Sequence, residues 1–441
     1  MRAFRGTFIH FLDNPETNPD SSHQLIEDGL MLLNDEGVII DVGEFRDLKK
    51  YLMDPCVDYI DYSEYIIIPG FVDSHIHYPQ LEMIASYSGG QLLEWLERCV
   101  FATEAKYKDY EYAKLKADIF FKALLKNGTT SALVFTTVHK ESTEAFFDKA
   151  DELNMLMIGG KVLMDRNAPA YLLDTPEKAY EETDCLINKW HNKNRLRYAI
   201  TPRFAPTSSE AQLQAVSALK KKHESVYLQT HLSENKNEVK WVQDIFPWSR
   251  DYTDVYEKYE LLGKRSIFAH CAHLNDREFD IIKESNSSIA WCPCSNFFLG
   301  SGLFNINKAR EFGIRLSLGS DVGGGNHIFM LQVMDEAYKV GAVQNYNMSP
   351  LASFYQTTLG NARALSIDDK VGNLVKGKDG DFLVINPHAT PFLEDRLKAA
   401  ETIENKLFCL QMLADKRIIK ATYIKGNKSY ESNSLIKESF F

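Results

Sequence analysis

Across 441 residues no apolar stretch approaches the ~18 needed to span a bilayer, so a transmembrane segment is not expected. No run of five or six like charges marks an interaction tail. The formal net charge of −11 argues against a nucleic-acid partner and against docking on an acidic membrane surface. The N-terminal stretch "MRAFRGTFIHFLDNPE" lacks the apolar core of a secretory signal, because His10 and Asp13 interrupt it. Cysteines are few: the seven, at 56, 99, 185, 271, 292, 294 and 409, are odd in number and scattered. That pattern excludes a disulfide framework and favours a reducing, cytoplasmic setting. Internal repeats and low-complexity segments are also missing. What remains, 44% hydrophobic and 25% charged residues, is the composition of a soluble globular protein.

Both ends of the chain read as short strands. "FRGTFIHFL" is one, and "LMLLNDEGVIIDVG" is two apolar runs split by a hairpin signal. Near the other end "VGNLVKGKDGDFLVIN" reads as strand–turn–strand, and "RIIKATYIKGNKSY" closes in strands as well. The expectation is a small β-sandwich domain built from residues 1–70 and 372–441 around a different middle, residues 71–371.

That middle alternates. Apolar strand candidates at "YIIIPGFVDSHIH", "TTSALVF", "LMIGGKVLMD", "RYAITPRF", "SVYLQTH", "SIFAH", "SSIAWCPCSN" and "IRLSLGSD" are separated by helical patterns. The clearest helix is "DTPEKAYEETDCLINKW", with Thr175 placed as N-cap and Pro176 at the first helical position. Eight strands with intervening helices predict an α/β fold, a (β/α)8 TIM-type barrel, with a doubly wound sheet as the rival.

Reactive side chains fall at strand ends. His75 and His77 close the first strand, Arg203 the fourth, His231 the fifth, His270 the sixth and Asp321 the eighth. The C-terminal strand ends of a barrel converge on one mouth, so these residues become neighbours. His75 and His77 are two apart and share a strand face. With His231 and Asp321 they form a three-nitrogen, one-oxygen donor set suited to Zn2+, and less well to Fe2+. His-X-His alone is weak evidence; the joint placement at later strand ends carries the reading. The other histidines read as surface or core residues, with only His139 and His327 close enough in sequence to a strand end to approach the mouth.

Glu234 in "THLSEN" follows His231 by three residues. There a carboxylate can take a proton from water and deliver it to a leaving amine. The bland alternative is an acid at a helix N-terminus after Ser233. The glycines of "SDVGGG" carry no phosphate-loop pattern and read as a tight turn beside Asp321. Cys292-Pro293-Cys294 reads as a buried strand with a proline near its end, not as a metal motif.

Together these residues resemble the amidohydrolase superfamily, and the resemblance covers nearly the whole chain. "PGFVDSHIH" matches its first-strand His-X-His, His231 and His270 its fifth- and sixth-strand histidines, and Asp321 its eighth-strand aspartate. Two-metal members bridge their ions with a modified lysine on the fourth strand. No lysine occurs from Leu196 to Pro206, which implies one metal per subunit and the deaminase branch. Within that branch "HIHYPQ", "QLLEWL", "NGTT", "TPRF", "HLSEN" and "SDVGGG" are similar to enzymes that release ammonia from guanine.

The resemblance implies metal ligation by His75, His77, His231 and Asp321, and catalysis by Glu234, His270 and Asp321. It implies purine binding by Gln80, the Trp95–Leu96 backbone, Arg203 and Phe204, beside His231 and Glu234. Phe204 offers a stacking face, Arg203 a donor to O6, and Gln80 both a donor and an acceptor. A homodimer is implied as well. "FATE" at Phe101–Glu104, where a proline is expected after the Phe, is taken as touching no residue with a chemical role. Alternatives are another aminopurine, a pterin or an s-triazine as substrate, and remotely an inactive barrel serving as a scaffold.

Overall fold

The computed structural model describes residues 1–87 and 90–432. Eight parallel strands hydrogen-bond in chain order: Phe71–His77, Thr129–Phe135, Leu156–Gly160, Arg197–Pro202, Tyr227–Leu232, Ser266–His270, Ser288–Trp291 and Arg315–Leu318. These are the eight expected strands, and helices lie between them as in a TIM-type barrel. Almost every residue in them is buried, which explains why they read as apolar runs instead of alternating patterns. The ring closes between the eighth and first strands without a regular ladder. Asn361 spans that seam, donating to Val72 and Leu318 carbonyls (2.6 and 2.8 Å) and accepting from the Leu318 N–H (2.8 Å). At the mouth, Asp321 N–H donates to His75 O and His77 N–H to Val322 O, both at 2.8 Å.

Helices form where the capping residues allow. Thr175 caps Pro176–Trp190 as expected, its hydroxyl accepting from Lys178 N–H. Asn235 and Asn275 each build a reciprocal capping box with the acid three positions on, Glu238 and Glu278. One expectation fails at the seventh strand. It ends at Trp291, and Pro293 opens the helix Pro293–Phe298, where its missing N–H costs nothing.

Strands from both termini join one seven-stranded mixed sheet: Asn427–Glu431, Ile419–Ile424, Phe382–Ile385, Asp58–Pro69, Arg2–Phe11, His23–Leu33, Ile39–Glu44, in spatial order. Phe4 and Tyr423 lie three strands apart in that order, yet their ring centroids are 5.1 Å apart. Neighbouring strands sit about 4.8 Å apart, so the sheet must curl over its own core, as a sandwich does. Of "VGNLVKGKDGDFLVIN" only Phe382–Ile385 is a strand. The helix Ile403–Leu413, inside the segment assigned to this sheet, serves the barrel instead: Gln411 donates to Met334 O and Phe408 packs edge-on against Tyr338. We propose a division that leaves residues 1–70 and the C-terminal strands with the sheet and this helix with 71–371.

His10 is fully buried in that sheet, and burial pushes its imidazole down to about 4 from an ordinary 6.5. A histidine that is harder to protonate folded than unfolded stabilises fully above the unfolded value and loses that stability as pH falls from 6.5 toward 4. The expected loss by pH 5 is about 2 kcal/mol. His10→Leu should remove this component. Its thermal midpoint, measured at pH 7.5 and 5, should fall less than that of the unmodified protein; an equal fall would refute the assignment.

Candidate functional site

Four strand ends deliver the cluster. His75 and His77 end the first strand on one face, as the period of two requires. His231 is the penultimate residue of the fifth strand, His270 the last of the sixth, and Asp321 follows the eighth by three residues. The turn that carries Asp321 needs its glycines. A Cβ on Gly325 would meet Ser320 O at 2.0 Å, and one on Gly319 would meet His75 Cβ at 2.7 Å. His270, Cys271, Ser233 and Asp321 all hold positive φ (71°, 54°, 49° and 47°), a concentration of backbone strain at the site.

His75, His231, His270 and Asp321 each present a donor atom within 4.8 Å of the other three, among the described residues. His77 Nε2 stands beside them, 3.2 Å from His231 Nε2 and 3.4 Å from Asp321 Oδ1. His75 Nε2 is 3.2 Å from Asp321 Oδ1. His270, expected only to orient water, therefore stands as close to the centre as the expected ligand His77.

The cluster fits a divalent cation on three grounds. The buried His75 Nε2 and His270 Nε2 have no hydrogen-bond partner among the described residues. Burial holds the imidazoles neutral, the form that binds metal: His75 is pushed down to about 3, and His77, His231 and His270 well below the ordinary value. His231 Nδ1 lies 2.7 Å from Arg203 O, a contact in which Nδ1–H donates and leaves Nε2 free. Phe135, closing the second strand, packs against His75, His77 and His231 with ring centroids 4.5–5.1 Å apart.

Glu234 lies 3.4 Å from His270 Nε2 and accepts from Ser301 Oγ at 3.3 Å. Burial pushes its carboxyl well above the ordinary range, and the charges of Asp321 and Glu238 add to that. Glu234 does not cap the helix after it; Asn235 does, and the helix begins at Lys236. Its backbone is instead gripped by Glu238 Oε2, which accepts from Glu234 N–H (2.8 Å) and Asn235 N–H (3.1 Å).

A slot opens on this cluster, walled by Gln80, Arg203, Phe204 and Leu299, with Leu92, Trp95 and Leu96 on the segment that runs over it. Every expected substrate residue thus reaches one pocket. The backbone of the Trp95–Leu96 pair is less free than expected. Trp95 N–H donates to Gln91 O, and Leu96 N–H to Leu92 and Leu93 carbonyls. Their side chains form the wall, and Trp95 Nε1 is a buried donor with no partner among the described residues. His139 and His327 are not part of the pocket wall. Lys161, at the end of the third strand, is paired with Asp174 and Glu182, away from the cluster.

Two residues escaped the sequence reading. Asp73 accepts from Ser320 N–H (3.0 Å) and Ser320 Oγ (2.5 Å), tying the first strand to the Asp321 turn. Glu104 corrects the expectation that "FATE" touches nothing of chemical interest: its carboxylate bonds both Gln80 (3.0 Å) and Arg203 (2.8 Å). A buried glutamate among the charged residues of a helical stretch leaves no periodic signal of its own; the departure at "FATE" marked the segment but not the role of its carboxylate.

The family described as Amidohydrolase family matches residues 66–428. Guanine deaminase of Escherichia coli (strain K12) is 47% identical over 98% of both chains. The solved structure of E. coli guanine deaminase superposes with a TM-score of 0.95 at 46% identity, covering 98% of this chain and 100% of that one. Guanine deaminase from C. acetobutylicum, solved with guanine in its active site, gives a TM-score of 0.88 at 31% identity, covering 97% and 99%.

Proposed function

The chain belongs to the amidohydrolase family, and we infer that it hydrolyses guanine to xanthine and ammonia. The observation that carries this is a single pocket where a slot walled by Phe204 and Trp95 opens on the histidine–aspartate cluster beside the protonatable Glu234. The cation that fits three imidazole nitrogens and a carboxylate is zinc, one per subunit. His75, His77, His231 and Asp321 would hold it, with His270 in the same convergent group. Bound there, it would supply Lewis acidity that lets a water molecule ionise near neutral pH.

The protein's own groups do the rest. Phe204 stacks on the purine while Trp95 and Leu96 exclude solvent above it. Arg203 donates to O6 and its fixed charge offsets the electron density that builds up in the ring. Gln80 meets the purine edge. Glu234 takes one proton of the attacking water and delivers it to the ring nitrogen; as the C2–N bond breaks, the second proton passes from the new C2 hydroxyl to the departing amine, which leaves as ammonia while the C2 oxygen becomes a carbonyl. Its raised proton affinity suits both steps, since it must accept a proton early and give it up late. His270 and Asp321 flank the water and fix its direction of attack.

A cytoplasmic location is supported by seven free cysteines, two of them exposed (Cys56 and Cys185). Among the described residues no helix is long and apolar enough to cross a membrane. The homodimer rests on the family resemblance. The test is loss of guanine absorbance with and without a chelator. Consumption of guanine should stop on metal removal and return with added zinc. Turnover that persists in metal-free protein would overturn the metal reading. Inactivity on guanine, with ammonia released from a pterin or s-triazine, would overturn the substrate.

A further inference from the structure

Glu104 is completely buried and stands behind the pocket wall, not in it. Its two carboxylate oxygens serve different side chains. Oε1 accepts from Gln80 Nε2 at 3.0 Å, and Oε2 accepts from Arg203 Nη1 at 2.8 Å. On its far side Gln80 Oε1 accepts from Gly323 N–H at 3.2 Å.

We propose that Glu104 is a specificity-determining positioning residue that fixes the Gln80 amide and sets Arg203 to accept the 6-oxo edge of a purine and to reject a 6-amino edge. This rests on the functional reading above and deepens it.

The argument is one of donor and acceptor polarity. A carboxamide can sit in two nearly isosteric orientations that exchange donor for acceptor. Glu104, which can only accept, and Gly323 N–H, which can only donate, select the same one, and in it Gln80 Nε2 also lies 3.3 Å from His77 Nδ1. The NH2 group of Gln80 is thereby turned to Glu104 and its carbonyl to the glycine turn that follows Asp321. Arg203 is a pure donor whatever its orientation, so its position decides what it tests. One edge of the guanidinium is spent on Glu104, and the side chain meets the pocket with the rest. Aimed at C6, those N–H groups bond a carbonyl and confront an amino group with a second donor, leaving buried donors unpaired. The fixed counter-charge keeps the guanidinium at that wall; both partners are almost fully buried, with relative side-chain exposure of 3% for Arg203 and 0% for Glu104. Glu104 also joins the covering segment to the base-reading pair, since it lies on the stretch that continues from Trp95 and Leu96 through Phe101.

The test compares guanine kcat/KM with competitive inhibition by hypoxanthine and adenine, two bases that differ at C6 and in the proton that the 6-oxo form carries on N1. In Glu104→Gln an amide replaces the acceptor-only group, so Gln80 loses its preferred orientation and Arg203 its anchor. Guanine kcat/KM should fall about 100-fold, the cost of a small misplacement at a reacting centre. The preference for hypoxanthine over adenine should fall at least about tenfold. Bound metal should be retained. Combined with Arg203→Ala, the losses should be far from additive, because both changes remove the same contact. Glu104→Asp keeps the buried charge while shortening its reach, and it serves if the Gln variant does not fold; the same loss of preference is expected. Folded variants with an unchanged hypoxanthine preference, or with losses that simply add, would overturn the role of Glu104 alone. A wild-type enzyme inactive on guanine would instead overturn the functional reading on which it rests.

Discussion

Glu234→Gln is expected to bind its metal normally and to lose about 10²–10⁴-fold in turnover, the usual contribution of a general acid–base group. The amide fills the same volume and can still accept from Ser301, so the pocket should keep its shape. What it loses is the ability to hold and release a proton. Metal content should therefore match the unmodified protein while single-turnover rates on guanine collapse, with the KM for guanine little changed. The sign of the pH dependence follows from the raised carboxyl. The unmodified enzyme needs Glu234 deprotonated to begin, so its rate should fall on the acid side as that group is protonated, over a range above the ordinary carboxylate one. Near-normal turnover in the Gln variant would remove Glu234 from the mechanism.

His75→Ala should have the other large effect, and its character should differ. Removing this imidazole deletes one donor from a set whose atoms converge on Asp321. Elemental analysis should find little bound metal, and guanine turnover should drop to background instead of to a reduced rate. Stability should fall too, because the ring is 1% exposed and packed edge-on against His77, His231 and Phe135. Circular dichroism separates the two causes, since a folded, metal-free protein is the expected state. Full metal occupancy in this variant would contradict ligation by His75.

The contrast between these variants also bears on His77 and His270. His270 belongs to the convergent group and His77 Nε2 stands beside it, 3.7 and 3.4 Å respectively from the Asp321 carboxylate. The same metal analysis on His77→Ala and His270→Ala separates their roles directly: a ligand releases the ion, a water-orienting residue keeps it.

Much of this molecule is set locally and was legible along the chain. Buried parallel strands are apolar on both faces, so the eight runs stood out, and Thr175–Pro176 announced its helix through capping chemistry that needs no tertiary partner. Because barrel strands all end at one mouth, polar residues at those ends identified the cluster before any distance was known. Where the local pattern was ambiguous the sequence misled: Pro293 was equally compatible with a strand end and a helix start, and packing chose the helix. The rest required three dimensions. A curled sheet that brings Phe4 to Tyr423 joins residues from opposite ends of the chain. The commitment of the Trp95 and Leu96 amides to their own helix follows from a backbone path the residue types do not dictate. Glu104 is the sharpest case. Its meaning lies in a bond to Gln80, 24 residues away, and another to Arg203, 99 residues away, and a contact between distant side chains leaves no trace in the periodicity of either segment.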